Sequence, residues 1–94
     1  MVIGICTLEL LLHGNQTLKG KRQILSSMKE KLKHRFNVSV AEVDHLEAWQ
    51  RATLAVVMVS NDQGHVNAAL DKVVDFIEES PFSGYLLDYQ LEFI

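Results

Sequence analysis

The stretch VIGICTLELLLHGNQTLKGKRQILSSMKEKLKHRF, residues 2–36, changes its hydrophobic period part-way along, and that change decides the fold. From Val2 to Leu12 the alternation is imperfect but legible. Val2, Cys6, Leu8, Leu10 and Leu12 share one face, and Ile3, Ile5, Thr7, Glu9 and Leu11 the other. Successive side chains of a strand point to opposite faces, so this pattern predicts a long first strand. His13, Gly14, Asn15 and Gln16 supply a turn, and Thr17 is suited to cap a helix. From Leu18 onward the period lengthens. Leu18, Leu25, Met28, Leu32 and Phe36 follow at spacings of seven, three, four and four, which is one stripe of a helix ending near Asn37.

Working outward, Val38 to His45 and Thr53 to Ser60 read as two strands joined by Leu46 to Ala52. Asn61 or Asp62 can cap a second helix whose buried stripe is Val66, Leu70, Val73, Val74 and Ile77, and Ser80-Pro81 ends it. Tyr85 to Ile94 alternates again, with Leu87, Tyr89, Leu91 and Phe93 against Asp88, Gln90 and Glu92. The order is strand, helix, strand, strand, helix, strand. Right-handed crossovers fold that order into an α+β, ferredoxin-like βαββαβ two-layer sandwich, with a four-stranded antiparallel sheet and two helices on one face. One domain, residues 1–94, accounts for the chain. The other sheet face is left uncovered. Ile3, Ile5 and Leu11 lie opposite Leu8 and Leu10, and apolar residues on both faces point to a second copy of the chain as the cover, making a homodimer.

Composition sets the class. No run approaches the roughly 20 apolar residues needed to span a bilayer, and the opening run is broken by Gly4, Thr7 and Glu9 with no basic segment before it. Cys6 is the only cysteine, so no internal disulfide can form and a reducing cytoplasm is the natural address. The net charge of −3 conceals a segregation. Leu18 to Phe36 holds seven cations against one anion, Glu30, a balance of +6, so the remainder carries −9.

Two stretches go beyond a generic pattern. One is Leu18-Lys19-Gly20-Lys21-Arg22; the other is Phe36-Asn37-Val38-Ser39-Val40-Ala41-Glu42-Val43-Asp44-His45, followed by Trp49-Gln50-Arg51-Ala52. Together they resemble the YlxP-like family of small bacterial proteins, a family of unknown function. The resemblance implies a ferredoxin-like fold and a gene often placed beside translation-initiation and ribosome-maturation genes. It implies no established activity and no agreed catalytic residues. Where the family often has a proline after the first strand, this chain has His13-Gly14.

Three features could carry chemistry. At 100° per residue, Arg22, Ser26, Lys29 and Lys33 fall on one solvent-side strip of the first helix, with Lys19 beside it. Such a row can track phosphates by charge neutralisation. The competing reading is a solvated outer face whose last-turn cations answer the helix dipole. The connector Asp44 to Arg51 is the second feature. Trp49 could stack on a base while Arg51 contacts a phosphate, or Trp49 could plug the sheet edge or a subunit contact while Arg51 pairs with a carboxylate. The third is the group Glu42, Asp44, His45 and Glu47. In a strand Glu42 and Asp44 share a face and His45 points away, so neither a metal site nor a hydrolytic Asp44–His45 pair is well founded. No Gly-rich phosphate loop, paired-cysteine motif or aromatic display on the central strands is present.

The expectation is therefore a non-enzymatic accessory factor with no cofactor and no metal. Its first helix would bind structured RNA, with ribosomal RNA or a ribosomal subunit as partner. Lys19, Lys21, Arg22, Lys29, Lys33 and Arg51 are the contact candidates, and Ile3, Ile5, Leu11 and Trp49 the interface candidates. The alternative is a homo-oligomeric protein-interaction module acting through the open sheet face or the Trp49 loop, without nucleic acid.

Overall fold

The computed structural model describes residues Met1–Ile94. Its elements follow the expected order: β1 (Val2–Leu11), α1 (Leu18–Arg35), β2 (Ser39–Asp44), β3 (Arg51–Ser60), α2 (Gln63–Glu78), a single 3₁₀ turn (Ser83–Tyr85) and β4 (Leu86–Phe93). The sheet runs β2-β3-β1-β4, and all three pairings are antiparallel. The fold is ferredoxin-like, with one layer of sheet and one of helices.

The pairing of β1 with β3 is unbroken over ten residues, from Val2 opposite Ser60 to Leu11 opposite Arg51. That register turns Cys6, Leu8 and Leu10 toward the helices with Ala52, Leu54 and Val56. It turns Ile3, Ile5, Thr7, Glu9 and Leu11 to the open face with Val59, Val57, Ala55, Thr53 and Arg51. The placement of Ile3, Ile5 and Leu11 away from the core follows from the pleat alone.

Leu25, Met28 and Leu32 of α1, and Val66, Leu70, Val73 and Ile77 of α2, close the core over the sheet. Thr17 caps α1, its hydroxyl accepting from the Gly20 N–H at 2.9 Å. Asp62 caps α2 by accepting from the Gly64 N–H at 3.0 Å. Each cap satisfies one of the orphan amides of a first turn, an effect of about 1 kcal/mol. Gly4 sets how closely α2 sits on β1. A Cβ there would collide with Val66 Cγ1 and lie 2.8 Å from Leu70 Cδ1.

The first helix ends where expected, at Arg35, with Phe36 as an extended cap. Two local expectations need correction. A bulge between Glu42 and Asp44 breaks the alternation of β2, pairing Glu42 with Leu54 and Asp44 with Thr53. Those two carboxylates therefore do not share a face, because Leu54 and Thr53 are adjacent on β3 and point oppositely. In β4 a second bulge, opposite Glu9 and Leu10, leaves Leu87 exposed while Leu91 and Phe93 turn toward the core.

Candidate nucleic-acid interface

The outer strip of α1 is built by the same periodicity that buries its inner stripe. With Leu25, Met28 and Leu32 packed inward, Lys19, Arg22, Lys29 and Lys33 fall within an arc of about 80° on one solvent-side flank. Lys19, Arg22 and Lys33 are exposed, and Lys29 is half-buried along its stem. Fourteen residues separate the ends of the row, about 21 Å at 1.5 Å per residue. None of these four cations is paired, since the molecule contains one ion pair and it involves Lys21.

Lys21 does not belong to the row. Its side chain is 2% exposed and lies on the buried side of α1, one turn before Leu25. The ammonium donates to the carbonyls of His45 and Ala48, each at 2.7 Å, and sits 2.8 Å from Glu42 Oε2. That carboxylate oxygen is shielded from solvent, with the ammonium as its partner. Burying a charge is tolerable only when its donors are spent in this way. The reason the lysine can reach is local. Regular alternation from Val40, opposite Val56, turns Glu42 inward opposite Leu54, and His45, held at a left-handed φ of 60°, turns the connector back toward α1. The sequence placed Lys21 among phosphate contacts; the structure makes it the pin of the β2–β3 connector. Its spacing of four, three and four with Leu25, Met28 and Leu32 is the signal that would have found it.

A second anchor comes from the turn before α1. Asn15 Nδ2 donates to the Trp49 carbonyl at 2.6 Å and to the Thr17 carbonyl at 2.9 Å. Gln50 Nε2 donates to the Asn15 carbonyl at 3.1 Å, and the Leu12 N–H to the Gln50 carbonyl at 2.8 Å. A Cβ on Gly20 would collide with Asn15 Oδ1, so the missing side chain there lets Asn15 sit close against the helix start.

The connector thus has a fixed backbone, while its large apolar side chains stay free. Trp49 is 55% exposed and Leu46 58%. Trp49 plugs no edge within the chain, which leaves base stacking or a subunit contact among the expectations for it. Arg51 pairs with no carboxylate either, and its register opposite Leu11 places it on the open sheet face, behind the sheet from α1. Of the six contact candidates, Lys19, Arg22, Lys29 and Lys33 come together. Lys21 and Arg51 do not.

The open face is apolar at one end and polar at the other. Ile3, Ile5, Val57 and Val59 form the apolar end, and Val59 is 60% exposed. Glu9 accepts from the Thr53 hydroxyl at 2.8 Å near the other end, where Asp88 stands opposite Glu9 on β4. No three His, Cys, Asp or Glu side chains gather as a metal site would require. Asp44 Oδ1 accepts from the His45 N–H at 2.7 Å, and no hydrogen bond joins the carboxylate to the His45 ring. Cys6 is fully buried, and burial first, then the Asp71 carboxylate, raises its pKa from 9.0 to about 11, the opposite of an activated thiol. No helix is long and apolar enough to cross a membrane.

Comparison with known proteins agrees with this architecture. A cofactor-independent oxygenase from Streptomyces nogalater, SnoaB, superposes with a TM-score of 0.56 over 99% of this chain and 90% of its own, at 6% identity. A Deinococcus radiodurans protein of proposed antibiotic biosynthesis monooxygenase function superposes with a TM-score of 0.50 over 100% and 90%, at 15% identity. Identities this low carry the fold and nothing of the chemistry. The uncharacterized protein YlxP of Bacillus subtilis is 29% identical over 80 residues, covering 85% of this chain and 87% of YlxP. The family described as "Protein of unknown function (DUF503)" matches residues 3–91, nearly the whole chain, and the protein belongs to that family.

Proposed function

We propose that this protein is a non-enzymatic accessory factor that binds structured RNA through the exposed flank of α1, with ribosomal RNA as the partner class. The observation that carries the reading is the row Lys19, Arg22, Lys29 and Lys33: four cations on one arc, none engaged by a carboxylate. A solvated helix ordinarily intersperses both signs, and α1 carries a single acid, Glu30. Phosphate contacts of this kind are independent of sequence and weaken steeply with salt. The test is binding to small ribosomal subunits and their naked RNA across a salt series, for the parent and for the double variant Arg22→Glu, Lys29→Glu. Binding that falls linearly on a log–log plot and is lost in the variant supports the reading. A variant that binds as tightly as its parent ends it.

A second reading rests on a different surface. The apolar end of the open sheet and the Trp49 loop suit a protein-interaction module, with a second copy of the chain as the simplest occupant of the sheet. Under it, Ile5→Glu or Trp49→Ala changes the assembly state in analytical ultracentrifugation, and the helix reversals are silent.

A further inference from the structure

The other flank of α1 presents cations of a different kind. Lys31 and Arg35 lean toward α2 and the turn that follows it, where each finds an aromatic ring instead of an acid. The Lys31 ammonium is 5.0 Å from the centre of the Phe82 ring, and the Arg35 guanidinium 5.4 Å from that of Phe76. The two helices are bridged at this end by Phe36 packed edge-on against Phe76, with centroids 5.8 Å apart. Beside that bridge lies a cleft of about 370 Å³ between the end of α1, β3 and the first half of α2. That volume falls within the roughly 300–1,000 Å³ of small-molecule sites.

The lining is sorted by chemistry. Phe36, Met58, Ala68 and Ala69 are its apolar lining, and Arg35, Lys72, His65 and Asn37 its polar lining. No carboxylate lines it; Asp75 and Glu79 lie in the adjoining cleft, which Arg35 and Lys72 also border. None of the four polar side chains has a hydrogen-bond or ion-pair partner within the protein. Two permanent cations on one side of a shallow apolar shelf favour a ligand that is both anionic and flat. The two alanines keep the shelf low, and Met58 can conform to a planar ring. The Asn37 amide offers a donor and an acceptor to a heterocycle edge.

We infer that the cleft is a binding site for a mononucleotide, its phosphate held by Arg35 and Lys72 and its base laid on Phe36, Met58, Ala68 and Ala69. The site stands apart from the RNA-binding strip, because the two lie on opposite flanks of α1. Either can fail without the other.

The test is titration of the ¹⁵N-labelled protein with adenosine 5′-monophosphate, adenosine and inorganic phosphate, followed by amide shifts. The nucleotide should give saturable shifts confined to 35–37, Met58 and 65–72. Adenosine and phosphate should each bind at least tenfold more weakly, since each loses one half of the site. Lys72→Glu should weaken the nucleotide at least tenfold while its unperturbed amides keep the parent spectrum, and Glu92→Gln, on β4 and away from the cleft, should leave it unchanged. Absence of saturation at millimolar nucleotide, equal binding by Lys72→Glu, or shifts that follow the Lys19–Lys33 row would each overturn the assignment.

Discussion

The first and last turns of α1 are both cationic, yet they use their charge in opposite ways. At the start, Lys21 is buried and spends its ammonium on two backbone carbonyls and Glu42. At the end, Lys31 and Arg35 lie against aromatic rings and have no anionic partner at all. A buried cation with a full set of acceptors is part of the architecture, and removing it strands its acceptors. A surface cation resting on a ring holds its place through a weaker attraction and keeps its donors for something outside the protein. Sequence charge counts treat the two alike. Burial and partners separate them.

The largest effect should come from the pinned lysine. Lys21→Met removes the ammonium and leaves the Glu42 carboxylate and the His45 and Ala48 carbonyls without their donor. The expected loss is about 3 kcal/mol, the low end for breaking a buried pair because Glu42 is partly solvated. Urea unfolding measures it, and a loss under about 1 kcal/mol would erase the distinction between the two turns. Adding Glu42→Leu to that variant should restore part of the stability, since the stranded charge goes with it.

Next in size is the surface row. Arg22→Glu with Lys29→Glu should lower RNA affinity at least tenfold and flatten the salt dependence, with unfolding free energy unchanged within about 0.5 kcal/mol. A fall in stability comparable to that of Lys21→Met would mean that these cations, too, are structural.

Smaller again is the ring contact. Arg35→Gln should cost about 0.5 kcal/mol, the value for an exposed cation–π pair. Cys6 sharpens the comparison from the other side, as a buried ionisable group with no cation to receive its charge. Its pKa is raised to about 11, so it favours the folded state fully below the unfolded value of 9.0 and loses that contribution as pH climbs from about 9 to 11. Unfolding followed over that range should show the decline in the parent and a flatter profile in Cys6→Ala. The smallest effect belongs to Trp49→Ala. A side chain more than half exposed, on a loop held by its backbone, should change stability by less than about 0.5 kcal/mol.

Most of the fold was legible because it rests on periodicity. The alternation through Cys6, Leu8 and Leu10 and the stripe through Leu25, Met28 and Leu32 both emerge as the core. The caps Thr17 and Asp62 were readable from short-range chemistry. What escaped depends on contacts distant in sequence. The Asn15–Trp49 hydrogen bond joins residues 34 apart, and the Lys21 bonds reach 24 and 27 residues along. The bulge after Glu42 has no composition cue, and it alone puts Asp44 on the opposite face from Glu42. The row on α1 was visible as charge, but the unpaired state of its members was not. The cleft was hidden for the same reason, since Arg35, Met58 and Lys72 meet only once the helices lie on the sheet.

The double anchoring of the connector has a consequence for motion. Residues 45–50 are tied to the start of α1 and to the turn before it, and so cannot loosen while that helix start stays in place. The first turn of α1 and the connector should open and close as one cooperative unit. In hydrogen exchange, the Leu12, Lys21 and Ala48 amides would then share a single opening free energy, although they belong to three separate segments of the chain.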